Sequence, residues 1–346
     1  RTITQSVAKP QPKPSANTLT RPKRRINLIG RRIDVIWGTI AAAVAFVLIA
    51  SPARAITPET LKSVVSVLPV WAEFRNRGGG KSEEPEGTGV VVRHGGYIVT
   101  NLHVVRRALS INVRLSDGRV MIAKGIGVDP LTDIAVLKID EDIPPLVIGP
   151  TVKLADPVCT AGNQFGLDLS VTCGVVSATH RTGVGFNPVE DFIQTDAVVN
   201  PGASGGALVD AQGRLVGLLS AIFTKGSDAN VGVNFAASMD LVTRVVDDLI
   251  AHGKVIRGKS GILVGLLPRI ERRNKTGALI RRVQSGSPAE VAGLKADDII
   301  TSIGARPIRK PSDVTSVFGL ARIGENIPVT VLRDERPMVL TVTLTR

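Results

Sequence analysis

Between about residues 57 and 250 the chain is a succession of short apolar or alternating runs, broken every few residues by Gly, Asn, Asp or Pro. Gly89-Val90-Val91-Val92, Tyr97-Ile98-Val99-Thr100, Ile111–Leu115, Ile134–Leu137 and Leu215–Leu219 are examples. Runs this short cannot close a useful number of helical turns. Many of them at close spacing with turn residues between specify an all-β barrel or sandwich. One segment breaks the pattern: from Met239 to Ala251, Leu241, Val242, Val245, Val246 and Leu249 share a face at helical spacing, with Gly253 as a stop. A second unit starts near Gly258. Strands are expected at 277–283, 297–303, 327–333 and 339–344, with helices at 288–292 and 311–321, which makes a small α+β domain.

The net charge of +13 invites a nucleic-acid reading, and its distribution removes it. Residues 1–32 hold nine Lys or Arg and no Asp or Glu, leaving 34 basic against 30 acidic residues in 33–346. The basicity belongs to a Pro- and Ser-containing tail of disordered character, and the folded part is nearly balanced. After the tail come nineteen uncharged, mostly apolar residues, Val35–Ala53. As a helix they reach ~28 Å, enough to cross a hydrocarbon core roughly 30 Å thick. The positive flank keeps 1–32 cytoplasmic and exports the chain beyond Arg54. Two readings compete, a retained anchor and a signal peptide cut near Ala53-Arg54-Ala55. The expected domains are a basic tail (1–32), an anchor or signal peptide (33–55), a β domain (56–254) and an α+β domain (258–346). Cys159 and Cys173 flank the turn-rich Gly162–Gly166 tip, so a hairpin brings them within bridging range. A disulfide and two small buried thiols remain alternatives.

Three residues carry candidate chemistry. Of four histidines, His103 ends an apolar strand. Asp133 directly precedes another, where a carboxylate needs a partner; Asp129 before Pro130 reads as a turn residue. Ser204 lies in Gly202-Ala203-Ser204-Gly205-Gly206, where glycines let the N–H groups of 202–204 converge on one point. Serine hydrolysis needs such a hydroxyl, a base titrating near neutrality, a carboxylate that orients the base, and N–H groups aimed at a developing oxyanion. The chain order His, Asp, Ser is that of the chymotrypsin-like arrangement, which agrees with the all-β pattern.

Thr100-Asn101-Leu102-His103-Val104-Val105, Thr132–Lys138 and Asn200–Leu208 resemble the HtrA/Deg family of serine proteases, as do Gly162–Leu167 and Asp191–Ala197. Gly286–Ala289 and Ala292–Ile300 resemble a PDZ domain. The resemblance implies a chymotrypsin-like double β-barrel followed by a PDZ domain. It also implies ATP-independent cleavage of misfolded or regulatory proteins in the bacterial periplasm, with no metal or organic cofactor. His103, Asp133 and Ser204 take the triad positions; Gly202, Ala203 and Ser204 the oxyanion hole; Val199 and Ile222 the primary specificity pocket. With no acidic residue at either pocket position, a small or medium aliphatic residue is expected before the scissile bond. A single PDZ, a leading apolar segment and a short 75–87 stretch are similar to the membrane-anchored, stress-sensing branch, which implies a homotrimer. In that branch an Arg at the place of Arg181 relays PDZ occupancy, and C-terminal peptides bind a carboxylate loop, here Gly258, Lys259, Ser260, Gly261 and Ile262. Three departures stand out: Ala203 where Asn is usual, Gln164 where Pro is usual, and no aromatic residue in the 258–262 loop. The rival expectation is an inactive protease fold that works as a chaperone or binding module through its PDZ domain.

Overall fold

The computed structural model describes residues 56–71, 86–222 and 231–346. The expected tail and anchor, 1–55, lie outside them. Among the described residues no helix is long and apolar enough to cross a membrane.

Two closed six-stranded antiparallel barrels come first. The first is β1 (Val64–Val70), β2 (Gly87–Arg93), β3 (Tyr97–Asn101), β4 (Ser110–Arg114), β5 (Val120–Asp129) and β6 (Ile134–Lys138), closed in the order β1-β2-β3-β6-β5-β4. The second is β7 (Pro157–Asn163), β8 (Leu169–Arg181), β9 (Phe192–Thr195), β10 (Ala207–Asp210), β11 (Leu215–Ile222) and β12 (Asn234–Ser238), in the order β10-β11-β12-β9-β8-β7. Val65, Val67, Val91, Ile98, Ala135 and Leu137 fill the first barrel. Their chain neighbours Val64, Val90, Val92, Val99, Ile134 and Val136 face the other way, into a core shared with Ala207, Val209, Leu215 and Leu218 of the second barrel. Both faces of these strands are buried, so Val90–Val92 and Ile134–Leu137 are continuous apolar runs rather than alternating ones. The two site-bearing barrels are thereby fixed against each other by one shared apolar core.

Helix α1 (Pro58–Lys62) precedes the first barrel and α2 (Leu102–Val105) follows β3. Helix α3 (Met239–His252) follows β12 and buries the five expected apolar residues. The Ser238 side chain accepts from Leu241 N–H at its start, and Gly253 at φ 69° donates to Leu249 C=O at its end. Less legible is Arg244, which α3 also buries. It ion-pairs with Asp248 at 2.6 Å and donates to the carbonyls of Ile256 and Leu320. The helix thus grips the start of the next domain.

That domain is one sheet in the order β13-β14-β15-β17-β18, with β16 paired to β15. Its strands are β13 (Ile262–Gly265), β14 (Ala278–Val283), β15 (Ile299–Ile303), β16 (Arg306–Pro307), β17 (Asn326–Arg333) and β18 (Arg336–Thr343). Helices α4 (Pro288–Val291) and α5 (Pro311–Leu320) cover a separate core of Ile280, Ile300, Val314, Phe318, Val329 and Val331. Cys159 and Cys173 sit opposite each other in the β7–β8 register and form a disulfide, with Cα atoms 4.0 Å apart.

Candidate active site

Asp133 occupies the last position before β6 in a left-handed conformation, φ 59°. Asp tolerates this region because its short polar side chain can bond locally. Its carboxylate accepts from His103 N–H (2.8 Å) and contacts His103 Nδ1 (2.5 Å), and its carbonyl accepts from Leu102 N–H (2.9 Å). An ionised carboxylate only accepts, so Nδ1 carries the proton and Nε2 is left as the basic nitrogen. The register Asn101↔Ile134 explains why residues thirty apart meet: β3 and β6 are antiparallel neighbours, and β3 ends where β6 begins.

Ser204 comes from the second barrel. Its turn is built on backbone: Thr88 N–H donates to Ser204 C=O (2.9 Å), Gly205 N–H to Leu219 C=O (2.8 Å), and Phe165 N–H to Pro201 C=O (2.7 Å). Glycine is required at 202 and 205. Both have φ near +90°, and an added Cβ would lie 2.2 Å from Asn163 O at 202 and 2.1 Å from Thr88 O at 205. The Cβ at 205 would also meet Thr100 Oγ1 at 2.4 Å, three residues before His103. The Ser204 turn therefore abuts the strand that delivers the histidine. No hydrogen bond joins Ser204 to His103 among the described residues. Beside His103 opens a cleft of about 550 Å³, walled by Arg106, Pro130, Phe186, Asn187 and Ser220.

Several sequence expectations are amended here. Of the three candidate oxyanion donors, the Ala203 N–H is spent on Asn200 C=O (3.1 Å), which leaves Gly202 and Ser204 as the pair with N–H groups uncommitted among the described residues. Ala203 is fully buried, and a Cβ added at Gly162 would come within 3.1 Å of its backbone. Val199 is 3% exposed and packs with Ala203, Leu208 and Leu219 inside the second barrel, which places it in the packing rather than on an open pocket wall. Ile222 ends β11, and its side chain lies outside the described residues. Arg181 is exposed and donates to Gln194 (3.1 Å), not to the C-terminal domain. Contacts to that domain come from its neighbours: Thr182 donates to Asp313 (2.5 Å), Lys310 donates to Thr182 C=O, and Arg306 donates to Asp191 (2.9 Å). Asp191 is fully buried. Burial alone would raise its carboxyl, but the His180 and Ser238 hydrogen bonds and the Arg306 charge outweigh that and hold it below the usual carboxylate range.

In the 258–262 loop, Lys259 N–H is spent on Thr345 C=O (2.7 Å), so Lys259 offers no backbone donor to a ligand. Gly261 takes φ 79° with Ser287 pressed against it. Beyond the loop a groove of about 220 Å³ runs between edge strand β13 and α5, lined by Ser260, Ile262, Val264, Val314 and Phe318. Sequence reasoning missed Thr88. It is fully buried, donates to Gly202 C=O (2.7 Å) and accepts from Asn163 N–H (2.9 Å), tying the Ser204 turn to the 163–165 tip. Its only local signal is a small residue between two glycines, Gly87-Thr88-Gly89.

A model described as a trypsin-like peptidase domain matches residues 87–218, and one described as a PDZ domain matches 261–344. The serine endoprotease DegS of Escherichia coli (strain K12) is 36% identical over 269 residues, covering 75% of this chain and 76% of DegS. A probable periplasmic serine endoprotease DegP-like of Chlamydia trachomatis is 38% identical over 75% of this chain. The chain spans only 54% of that relative's length, about half. Among solved structures, the HtrA-type protease AlgW with decapeptide superimposes with a TM-score of 0.64 at 33% identity, covering 86% of this chain and 99% of AlgW. With the double barrel, the C-terminal sheet domain and this extent of likeness to DegS, the chain belongs to the HtrA/Deg family of serine endoproteases.

Proposed function

We propose that the protein is an ATP-independent serine endopeptidase of the bacterial periplasm that cleaves misfolded or regulatory proteins, with His103, Asp133 and Ser204 as its triad. The observation that carries this is the 2.5 Å contact from Asp133 to His103 Nδ1, with the Ser204 turn packed on the strand that delivers the histidine. Nε2 takes the Ser204 proton as Oγ attacks the scissile carbonyl, and returns it to the leaving amine. The N–H groups of Gly202 and Ser204 receive the oxyanion. Catalytic hydrogen bonds are often loose before substrate arrives, which accommodates the missing Ser204–His103 bond. That missing bond is also what favours the rival reading, an inactive binding module. Fluorophosphonate labelling decides between them, because only an activated serine reacts. Label on the wild-type enzyme and none on Ser204→Ala is the expected result; a wild type that stays unlabelled both with and without C-terminal peptides refutes the enzyme.

The AlgW structures carry a bound decapeptide or tripeptide, which supports peptides as ligands of this chain. Peptides with a free apolar C-terminus are expected to add a strand along β13, with Ser260–Ile262 receiving the carboxylate, and to raise the cleavage rate. Coupling through the loop carrying Arg181 is expected to be about 1–3 kcal/mol. Flat rates across such a peptide series, in both wild type and Arg181→Ala, would leave a constitutive protease. On this reading the functional domains are 56–254 and 258–346, behind a tail (1–32) and a membrane anchor or signal peptide (33–55), and the working assembly is a homotrimer. Sedimentation of the detergent-extracted protein checks both anchor and trimer.

A further inference from the structure

Arg257 immediately precedes the carboxylate loop. Its guanidinium forks onto Asp129, Nη1 to Oδ1 at 2.9 Å and Nη2 to Oδ2 at 2.6 Å. Asp129 is 4% exposed, far from the simple turn residue that its Pro130 neighbour suggests. The same carboxylate accepts from Thr132 Oγ1 (2.5 Å), and Asp129 C=O accepts from Thr132 N–H (3.3 Å). Thr132 is bonded to Asp133. A two-pronged charge-assisted contact thus closes the turn whose last residue orients His103. Arg257 is itself anchored: Ile256 N–H donates to Asp248 (2.7 Å), and Arg244 donates to Ile256 C=O (2.7 Å). It also lines the groove beside β13, together with Val189. Val189 N–H in turn donates to Leu131 C=O (2.9 Å), within the same turn.

We propose that Arg257 and Asp129 are positioning residues for the protease reaction, an ion-paired buttress that holds Asp133 at the left-handed turn from which it reaches His103. This rests on the triad reading above. A buried carboxylate that loses its paired cation pulls in water or reorganises its turn, and the first atoms displaced are those of Thr132 and Asp133. Neither residue itself borders the cleft beside His103, which meets this turn at Pro130 and Asp133, so the larger effect falls on the chemical step.

The test uses the full-length enzyme and a fluorogenic peptide substrate, with kcat normalised to sites titrated by fluorophosphonate. Arg257→Ala and Asp129→Asn are each expected to lower normalised kcat about tenfold or more with KM within twofold. The double variant should lose no more than the worse single one, since both remove one interaction. Arg257→Lys keeps the charge without the fork and should fall between Ala and wild type. A purely structural role would reduce the titratable fraction and leave normalised kcat unchanged. Should Arg257→Ala fail to fold, Arg257→Lys and Asp129→Asn carry the test alone. Normalised kcat within twofold of wild type in the folded variants, or losses that multiply in the double variant, overturn the inference while the triad stands. A wild type that takes no label with or without C-terminal peptides overturns both.

Discussion

The two halves of the site are held in different ways. The nucleophile turn, 200–206, is clamped from within the barrels. Thr88 of β2, the 163–165 tip and Leu219 of β11 supply hydrogen bonds, and Gly202 and Gly205 leave no room for a side chain. The carboxylate turn, 129–133, is held largely from outside: Arg257 reaches Asp129 from the border of the C-terminal domain, and the 187–189 stretch reaches Leu131 and Thr132. One half is rigid by packing, which responds little to events elsewhere. The other depends on polar contacts that start near the groove beside β13. A regulated protease of this build would tune the orientation of its base and leave its nucleophile alone.

The comparison can be broken most severely at the centre. Ser204→Ala and His103→Ala should each cost roughly 10⁴- to 10⁶-fold in kcat if the proposed triad acts as a unit. Turnover of casein near the wild-type rate in either variant would dissolve both halves of the site. Reduction of the Cys159–Cys173 disulfide comes next, at about 3 kcal/mol for a closed loop of this length. Denaturant midpoints with and without dithiothreitol measure it, and an unchanged midpoint contradicts a stabilising staple. Thr88→Val follows. It strips the hydroxyl that serves Gly202 C=O and Asn163 N–H, leaving a part-buried carbonyl and a buried N–H unpaired, the latter at about 1–3 kcal/mol. The expected signature is a loss of labelling rate with any response to C-terminal peptides preserved; losing that response would erase the distinction between the halves.

The smallest effect concerns the seam at Asp191. Its folded-state carboxyl lies below the ordinary value of 3.8, so its contribution is complete above that pH and is lost as pH falls through the folded value. Melting temperatures of the wild type should drop more steeply below pH ~4 than those of Asp191→Asn. Parallel curves would show that the seam draws nothing from this charge.

Much of this was legible in the sequence, and the misses share a cause. The strands, the α3 face with its Gly253 stop and the positions of His103, Asp133 and Ser204 follow from local pattern, because periodicity and glycine placement are read within a dozen residues. Thr88, Arg257 and Arg244 were invisible because their meaning lies in partners. Thr88 meets Gly202, Arg257 meets Asp129 and Arg244 meets Leu320, across 114, 128 and 76 positions. Ala203 and Lys259 failed as donors for the same reason, since a backbone N–H is counted in a motif before its acceptor is known. Asp129 shows the error most clearly. Its Pro130 neighbour signals a turn correctly, yet the carboxylate is buried against a cation from the segment that leads into the C-terminal domain.

The left-handed backbone at Asp133 constrains this lineage in a further way. Two demands meet at one codon: a residue that accepts φ 59°, and a carboxylate within reach of imidazole. Asn and Gly meet the first demand alone, whereas Glu supplies the charge with a side chain ill suited to the turn. Descendants that abandon catalysis but keep the fold should therefore drift to Asn or Gly here and seldom to Ala or Val. That substitution spectrum offers a way to recognise retired enzymes among their working cousins.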